Sequence, residues 1–193
     1  MGRRASRERV TKETSVAIAL DLDGTGQASA STGIPFFDHM LEQLGKHARF
    51  NLDVRAEGDL EVDLHHTVED VGILLGETLK EALGDKAGVR RFASAIVPLD
   101  EALVQVALDL SGRPFLVYEV DPVVEWIGTF DVQLCEEFWR AFTVASANTL
   151  HIRSLSGKNG HHIIEASFKA VAVSLRDAVR IEGGDVPSTK GTL

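Results

Sequence analysis

With 193 residues, the chain has room for one domain, or two small ones, around a buried core. Its 44% hydrophobic and 25% charged residues make an ordinary globular composition. A count of 20 Lys and Arg against 29 Asp and Glu leaves a net charge of −9, which argues against nucleic acid as a partner but not against a small anion held by a few local basic residues.

The basic start Gly2-Arg3-Arg4-Ala5-Ser6-Arg7-Glu8-Arg9 is followed by no apolar stretch, so it is no secretory signal, and residues 1–10 are expected to form a flexible leader. Val16 to Gly24 alternates like a half-buried strand that ends in a glycine turn. Phe36, Phe37, Met40, Leu41 and Leu44 then make a helical stripe, Leu52-Asp53-Val54 a strand, and Val68, Val71, Leu74, Leu75 and Leu79 a second helix. The order then repeats. Val104 to Gly112 echoes the first strand 88 residues later. Leu134, Phe138, Trp139 and Phe142 make a third stripe, Leu150-His151-Ile152 a strand, and Ile164, Phe168, Val171, Leu175 and Val179 a fourth stripe. Residues 11–90 and 91–182 therefore read as two copies of one α+β unit, an internal duplication of a strand-rich half with two helices on one face of each sheet, followed by a tail at 183–193.

No window approaches the roughly 18 apolar residues needed to span a bilayer, so no membrane partner is expected. The single cysteine, Cys135, cannot form an intramolecular disulfide, and a reducing cytosol fits best. Asp21-Leu22-Asp23-Gly24-Thr25 matches the D-x-D-x-T nucleophile motif of haloacid-dehalogenase-like phosphatases. Its duplicate, Asp109-Leu110-Ser111-Gly112-Arg113, lacks the second Asp, and the βαβ alternation of that fold is missing. The segment is read as a turn at a sheet edge.

The histidines carry the chemistry. His65-His66-Thr67-Val68-Glu69 recurs as His161-His162-Ile163-Ile164-Glu165, each opening a helical pattern. On a helix, residues three and four apart share a face, so Glu69 lies beside His65 or His66, and Glu165 beside His161 or His162. Adjacent histidines diverge by about 100°, which suits two metal ions rather than one. Imidazole and carboxylate together suit Mn, Fe, Ni or Zn. His39 and His151 are further ligand candidates, giving three histidines and one glutamate per metal. His47 reads as a surface histidine, and the metalloprotease signature H-E-x-x-H is absent.

Phe37-Asp38-His39-Met40-Leu41, His65 to Asp70, His161 to Ala170 and Pro187-Ser188-Thr189-Lys190-Gly191 together resemble the imidazoleglycerol-phosphate dehydratase family of histidine biosynthesis, from about Arg9 to the C-terminus. The absence of an added phosphatase domain makes the chain similar to the monofunctional form. The resemblance implies dehydration of D-erythro-imidazole-glycerol phosphate to imidazole-acetol phosphate, two Mn²⁺ per active site, and a hollow homo-oligomer of about 24 subunits with sites between neighbours. It implies His39, His65, His66, Glu69, His151, His161, His162 and Glu165 as ligands. It also implies phosphate contacts from Arg91, Arg113, Lys169, Ser188 and Lys190, with Gln43 a weaker addition, and a tail that closes over ligand. Glu13, Asp100 and Glu165 are the implied catalytic carboxylates.

The chemistry agrees with these roles. A phosphate suits Arg forks, Lys charges and a hydroxyl. The hydrogen to be lost is on a carbon that no carbonyl acidifies, so direct abstraction would be slow. Metal on both ring nitrogens favours the imidazolate, which expels the neighbouring hydroxyl by a diazafulvene route. A carboxylate such as Glu13 then moves a proton from carbon to give an enol that tautomerises to the ketone.

Overall fold

Alternation along the second strand buries Val16, Ile18 and Leu20 on one face and leaves Ser15 and Ala19 exposed on the other. A strand with one apolar face needs a cover, and amphipathic helices supply it. The computed structural model describes residues 2–193. In chain order it contains β1 (Arg4–Val10), β2 (Thr14–Asp21), β3 (Ala28–Ser31), α1 (Pro35–Ala48), β4 (Asn51–Gly58) and α2 (His65–Leu83). There follow β5 (Phe92–Leu99), β6 (Ala102–Asp109), β7 (Phe115–Glu119), β8 (Trp126–Ile127), β9 (Phe130–Asp131), α3 (Leu134–Ser146), β10 (Thr149–Ser156) and α4 (Gly160–Ala178).

The two halves share one topology. One sheet runs β1-β2-β4-β3 and the other β5-β6-β10-β7, each with two antiparallel pairings and a parallel last one. The internal duplication is therefore real, and the fold is α+β. Registers match across the halves, Val10 opposite Ser15 and Pro98 opposite Leu103, 88 residues on. The spacing grows to 96 at His65 and His161, because the second half carries the β8–β9 hairpin between β7 and α3, an addition the periodicity did not disclose.

The helices lie between the sheets, α2 against α3 and α1 against α4. Phe37, Phe138, Trp139, Phe142 and Phe168 meet in this layer, with ring centroids of Phe37 and Phe138 5.3 Å apart and of Trp139 and Phe168 4.8 Å apart. The α2–α3 crossing is closest at two glycines. A methyl group on Gly72 would stand 2.8 Å from the Phe138 carbonyl oxygen, and one on Gly76 2.6 Å from that of Phe142. No described helix is long and apolar enough to cross a membrane.

The expectation of a flexible leader at 1–10 is corrected. Arg4–Val10 is β1, paired along its length with β2. Its basic residues alternate with the strand period: Arg7 reaches Glu77 and Glu81 on α2, at 3.2 and 2.8 Å, and Arg9 reaches Asp70 at 2.8 Å. Arg4, facing the other way, pairs with Asp21 at 2.8 Å.

Candidate metal centre

Each histidine dyad occupies the first turn of a long helix, where the backbone N–H groups need acceptors from outside the helix. Asp63 accepts from the His65 N–H at 2.8 Å, and Asn159 caps α4 by accepting from the N–H groups of His161 and His162 at 2.9 and 3.4 Å. These caps fix the direction in which both imidazoles of a dyad leave the helix.

The i, i+4 pairing chooses the first histidine of each dyad. Glu165 Oε2 is 2.9 Å from His161 Nε2 and 3.4 Å from His39 Nε2, which reaches it from α1. Glu69 Oε2 is 3.9 Å from His65 Nε2, and Glu137 of α3 completes that group. In each of these two groups the potential ligand atoms lie within 4.8 Å of one another. Neighbouring donors around an octahedral ion with bonds of about 2.1 Å stand about 3 Å apart, so the His39–His161–Glu165 group needs little adjustment to hold a divalent cation. Burial of Glu165 favours its protonated form, but Lys169 Nζ, 2.6 Å away, and His161 outweigh it and hold the carboxyl below the usual range.

The second histidine of each dyad turns to a different carboxylate. His66 Nδ1 donates to Asp59 at 3.0 Å, and His162 Nδ1 donates to Glu101 at 2.9 Å. An imidazole that donates through Nδ1 presents Nε2 as a free donor to a metal, in a fixed orientation. The hydrogen bond to Asp59 raises the His66 pKa, and that to Glu101 raises the His162 pKa. Glu101 in turn is lowered to about 2 by His162 and by the N–H groups of Asn159 and Lys158. Glu13 Oε2 lies 3.9 Å from His66 Nδ1, and Asp100 Oδ2 lies 3.9 Å from His162 Nε2, so both proposed catalytic carboxylates sit on hairpins beside a dyad.

The chain does not gather all eight expected ligands. His66 and His162 stand beside the two groups without joining them, and His151 lies on the sheet face turned away from the helices, between the buried Leu150 and Ile152 and near Phe115. The basic residues divide as well. Lys169 is at the metal group, and Gln43 lies one turn beyond His39, bonded at 3.1 Å to His47. His47, expected at the surface, is half-buried, and burial lowers its pKa. Arg91, Arg113, Ser188 and Lys190 collect at the other end of the second sheet. There Arg91 binds Asp109 at 2.7 Å and the Pro187 carbonyl at 2.7 Å, and Leu193 reaches Gly112, next to an exposed Arg113. The eight residues of β5 separate Arg91 from Asp100 by about 30 Å.

Asp59, Glu101 and Glu137 were missed by sequence reading. Glu101 alone left a trace, since it lies 88 residues from Glu13, the spacing of the duplicated hairpins.

Comparison with known proteins bears on this arrangement. A family model described as imidazoleglycerol-phosphate dehydratase matches residues 32–175. The imidazoleglycerol-phosphate dehydratase of a Parafrankia strain is 58% identical over 195 residues, covering all of both chains. That of Acidothermus cellulolyticus is 58% identical over 192 residues, covering 99% of this chain and 93% of the relative. The crystal structure of the Staphylococcus aureus imidazoleglycerol-phosphate dehydratase superposes with a TM-score of 0.82 at 36% identity, covering 92% of this chain and 99% of that one. The Pyrococcus furiosus structure gives 0.81 at 36%, covering 97% and 100%.

Proposed function

The chain belongs to the imidazoleglycerol-phosphate dehydratase family and is an enzyme of the hydro-lyase class; on that premise we propose that it converts D-erythro-imidazole-glycerol phosphate to imidazole-acetol phosphate with two Mn²⁺ per active site. The observation that carries this reading is the pair of duplicated histidine–carboxylate groups, each at the start of a long helix and each beside a hairpin carboxylate. His39, His161 and Glu165 would hold one ion with help from a second-dyad histidine, and His65 and Glu69 the other, with His66, His151 and His162 completing the shells.

Bound by these residues, the metal would supply the Lewis acidity that favours the deprotonated imidazole ring, the condition that a diazafulvene route for loss of the neighbouring hydroxyl would need. The residues of the chain do the rest. Glu13, on its hairpin beside His66, takes the proton from carbon, and the resulting enol tautomerises to the ketone. Asp100 orients substrate beside His162. Glu165 serves both as ligand and as a carboxylate within reach of Lys169. The phosphate is met by the Arg113 fork, with Arg91, Lys169, Ser188 and Lys190, and Gln43 lines the approach beside His39.

A separation of about 30 Å between Arg91 and Asp100 is too long for one small substrate to bridge within a chain. The active site is therefore proposed to form between neighbouring chains of a homo-oligomer, 24 subunits in the family pattern, with metal ligands from one chain and phosphate contacts from another. The cytosol is the proposed compartment, in keeping with a single buried cysteine, Cys135. One assay tests the reading: formation of imidazole-acetol phosphate with Mn²⁺, after chelation, and in His65→Ala. Activity is expected only in the first. Turnover that survives both chelation and His65→Ala would overturn it.

A further inference from the structure

Asp70 follows the ligand Glu69 directly, yet its side chain points away from the metal group into the first sheet, where it is 7% exposed. There it accepts from Arg9 Nε at 2.8 Å and from the Thr14 hydroxyl. Because Thr14 spends its one hydroxyl proton on Asp70, its oxygen accepts from the Thr11 hydroxyl, 3.2 Å away. Thr11 Oγ1 accepts in turn from the backbone N–H groups of Glu13 and Thr14, at 3.1 and 2.9 Å. The Glu13 carbonyl accepts from the Asp59 N–H at 3.1 Å, next to the carboxylate that holds His66. A continuous chain of hydrogen bonds thus runs from Asp70 on α2 to the hairpin that carries Glu13.

The second half of the molecule serves as the control. In the matched registers, Arg9 corresponds to Val97, Thr11 to Leu99, Glu13 to Glu101, Thr14 to Ala102 and Asp70 to Ala166. Ala102 and Ala166 are 1% and 0% exposed, so the same place closes with small apolar side chains, and the fold does not require the polar network. Burying a carboxylate costs desolvation even when it is paired, as Asp70 is with Arg9 and Thr14, so packing alone does not account for it. What differs between the hairpins is their anchor. Glu101 fastens the second hairpin with its own carboxylate, bound to His162 and to the N–H groups of Lys158 and Asn159. Glu13 accepts no hydrogen bond through its carboxylate among the described residues and is 3.9 Å from His66.

We propose that Asp70, acting through Thr14, is the positioning residue for Glu13: it clamps the β1–β2 hairpin from α2 so that the Glu13 carboxylate stays free for proton transfer. This rests on the reading of Glu13 as the proton-moving group. A misplacement of about 1 Å at such a group costs on the order of a hundredfold in rate.

The test uses the full-length, Mn²⁺-loaded assembly and compares kcat, KM and bound metal for Asp70→Ala, Thr14→Val, Thr14→Ser and Glu13→Gln, and for Asp70→Ala in the Glu13→Gln background. Asp70→Ala and Thr14→Val are expected to lower kcat by about tenfold to a hundredfold, with KM and metal content little changed. Thr14→Ser, which keeps the hydroxyl, recovers rate relative to Thr14→Val. Asp70→Ala adds no further loss once Glu13 is Gln, because both act on one step. The clamp is overturned if both single variants turn over at the wild-type rate while Glu13→Gln is impaired, if the Asp70→Ala loss persists in full on the Glu13→Gln background, or if metal is lost in proportion to rate. Should Asp70→Ala fail to fold, Thr14→Val leaves the Arg9–Asp70 pair in place and decides the question. Full turnover by Glu13→Gln would instead remove the underlying assignment of Glu13, and the clamp with it.

Discussion

Asp59 and His66 face each other at 3.0 Å, carboxylate to Nδ1, and the contact both aims the imidazole and favours its protonated form. A metal must displace the proton that Asp59 helps His66 to keep. In Asp59→Asn that electrostatic help is gone, so the pH at which Mn²⁺ affinity begins to fall moves lower. At higher pH, where the proton no longer competes, the weaker amide acceptor orients His66 less firmly than the carboxylate and weakens binding by about tenfold. Mn²⁺ titrations followed by electron paramagnetic resonance across a pH series read both effects, and an unshifted fall would show that Asp59 does not govern the His66 proton.

Arg113 is exposed and has no carboxylate partner among the described residues, whereas the Arg91 fork is committed to Asp109. Arg113→Ala should raise KM for the phosphorylated substrate by about tenfold or more, since a charge-assisted hydrogen bond contributes about 1.5–3 kcal/mol. Arg113→Lys should recover only part of this, because an ammonium cannot grip a phosphate with two parallel bonds. Equal KM values in Arg113→Ala and wild type would remove Arg113 from the phosphate site.

The tail is docked, with the Pro187 carbonyl on Arg91 and Leu193 at Gly112. Ending the chain before Val186 should leave Mn²⁺ binding intact and weaken substrate binding, as read by calorimetry with metal and with substrate in turn. Unchanged substrate affinity would place the tail outside the site.

Gly76 lies where α2 and α3 come closest. In Gly76→Ala the new methyl group would stand 2.6 Å from the Phe142 carbonyl oxygen and 2.7 Å from Ala145 Cβ. Overpacking of this kind costs about 1–3 kcal/mol, more than the helix-propensity gain of about 1 kcal/mol. Thermal unfolding should shift down by several degrees. A raised melting temperature would mean that the crossing has slack.

The duplication and the four amphipathic helices were legible because a one-sided core imposes its period on the chain, and the dyads because the same pentad pattern appears twice. The pairing of Glu69 with His65, and of Glu165 with His161, was open at that level and was settled by how each imidazole leaves its helix. β1 was not legible. Its alternation is written in arginines, whose partners Asp70, Glu77 and Glu81 lie more than 60 residues away. Asp59 and Glu101 were hidden for a similar reason: a carboxylate in a turn looks like solvent-exposed charge until the fold brings a histidine to it. His151 was placed on the right strand, but strand alternation sends it to the outer face, away from the dyads of its own chain.

The proposed metal ligand His162 stands near Asp100 at one end of β5 and the proposed phosphate contact Arg91 at the other, which would divide the labour of one chain. If each site borrows across a boundary, a defect at one end spoils only the site to which that end contributes. Chains carrying His65→Ala, inert alone, and chains carrying Arg113→Ala, slow alone at substrate concentrations below their raised KM, should then rescue one another at such concentrations when dissociated and reassembled together. The same two substitutions placed in one chain, mixed with either single variant, should rescue nothing.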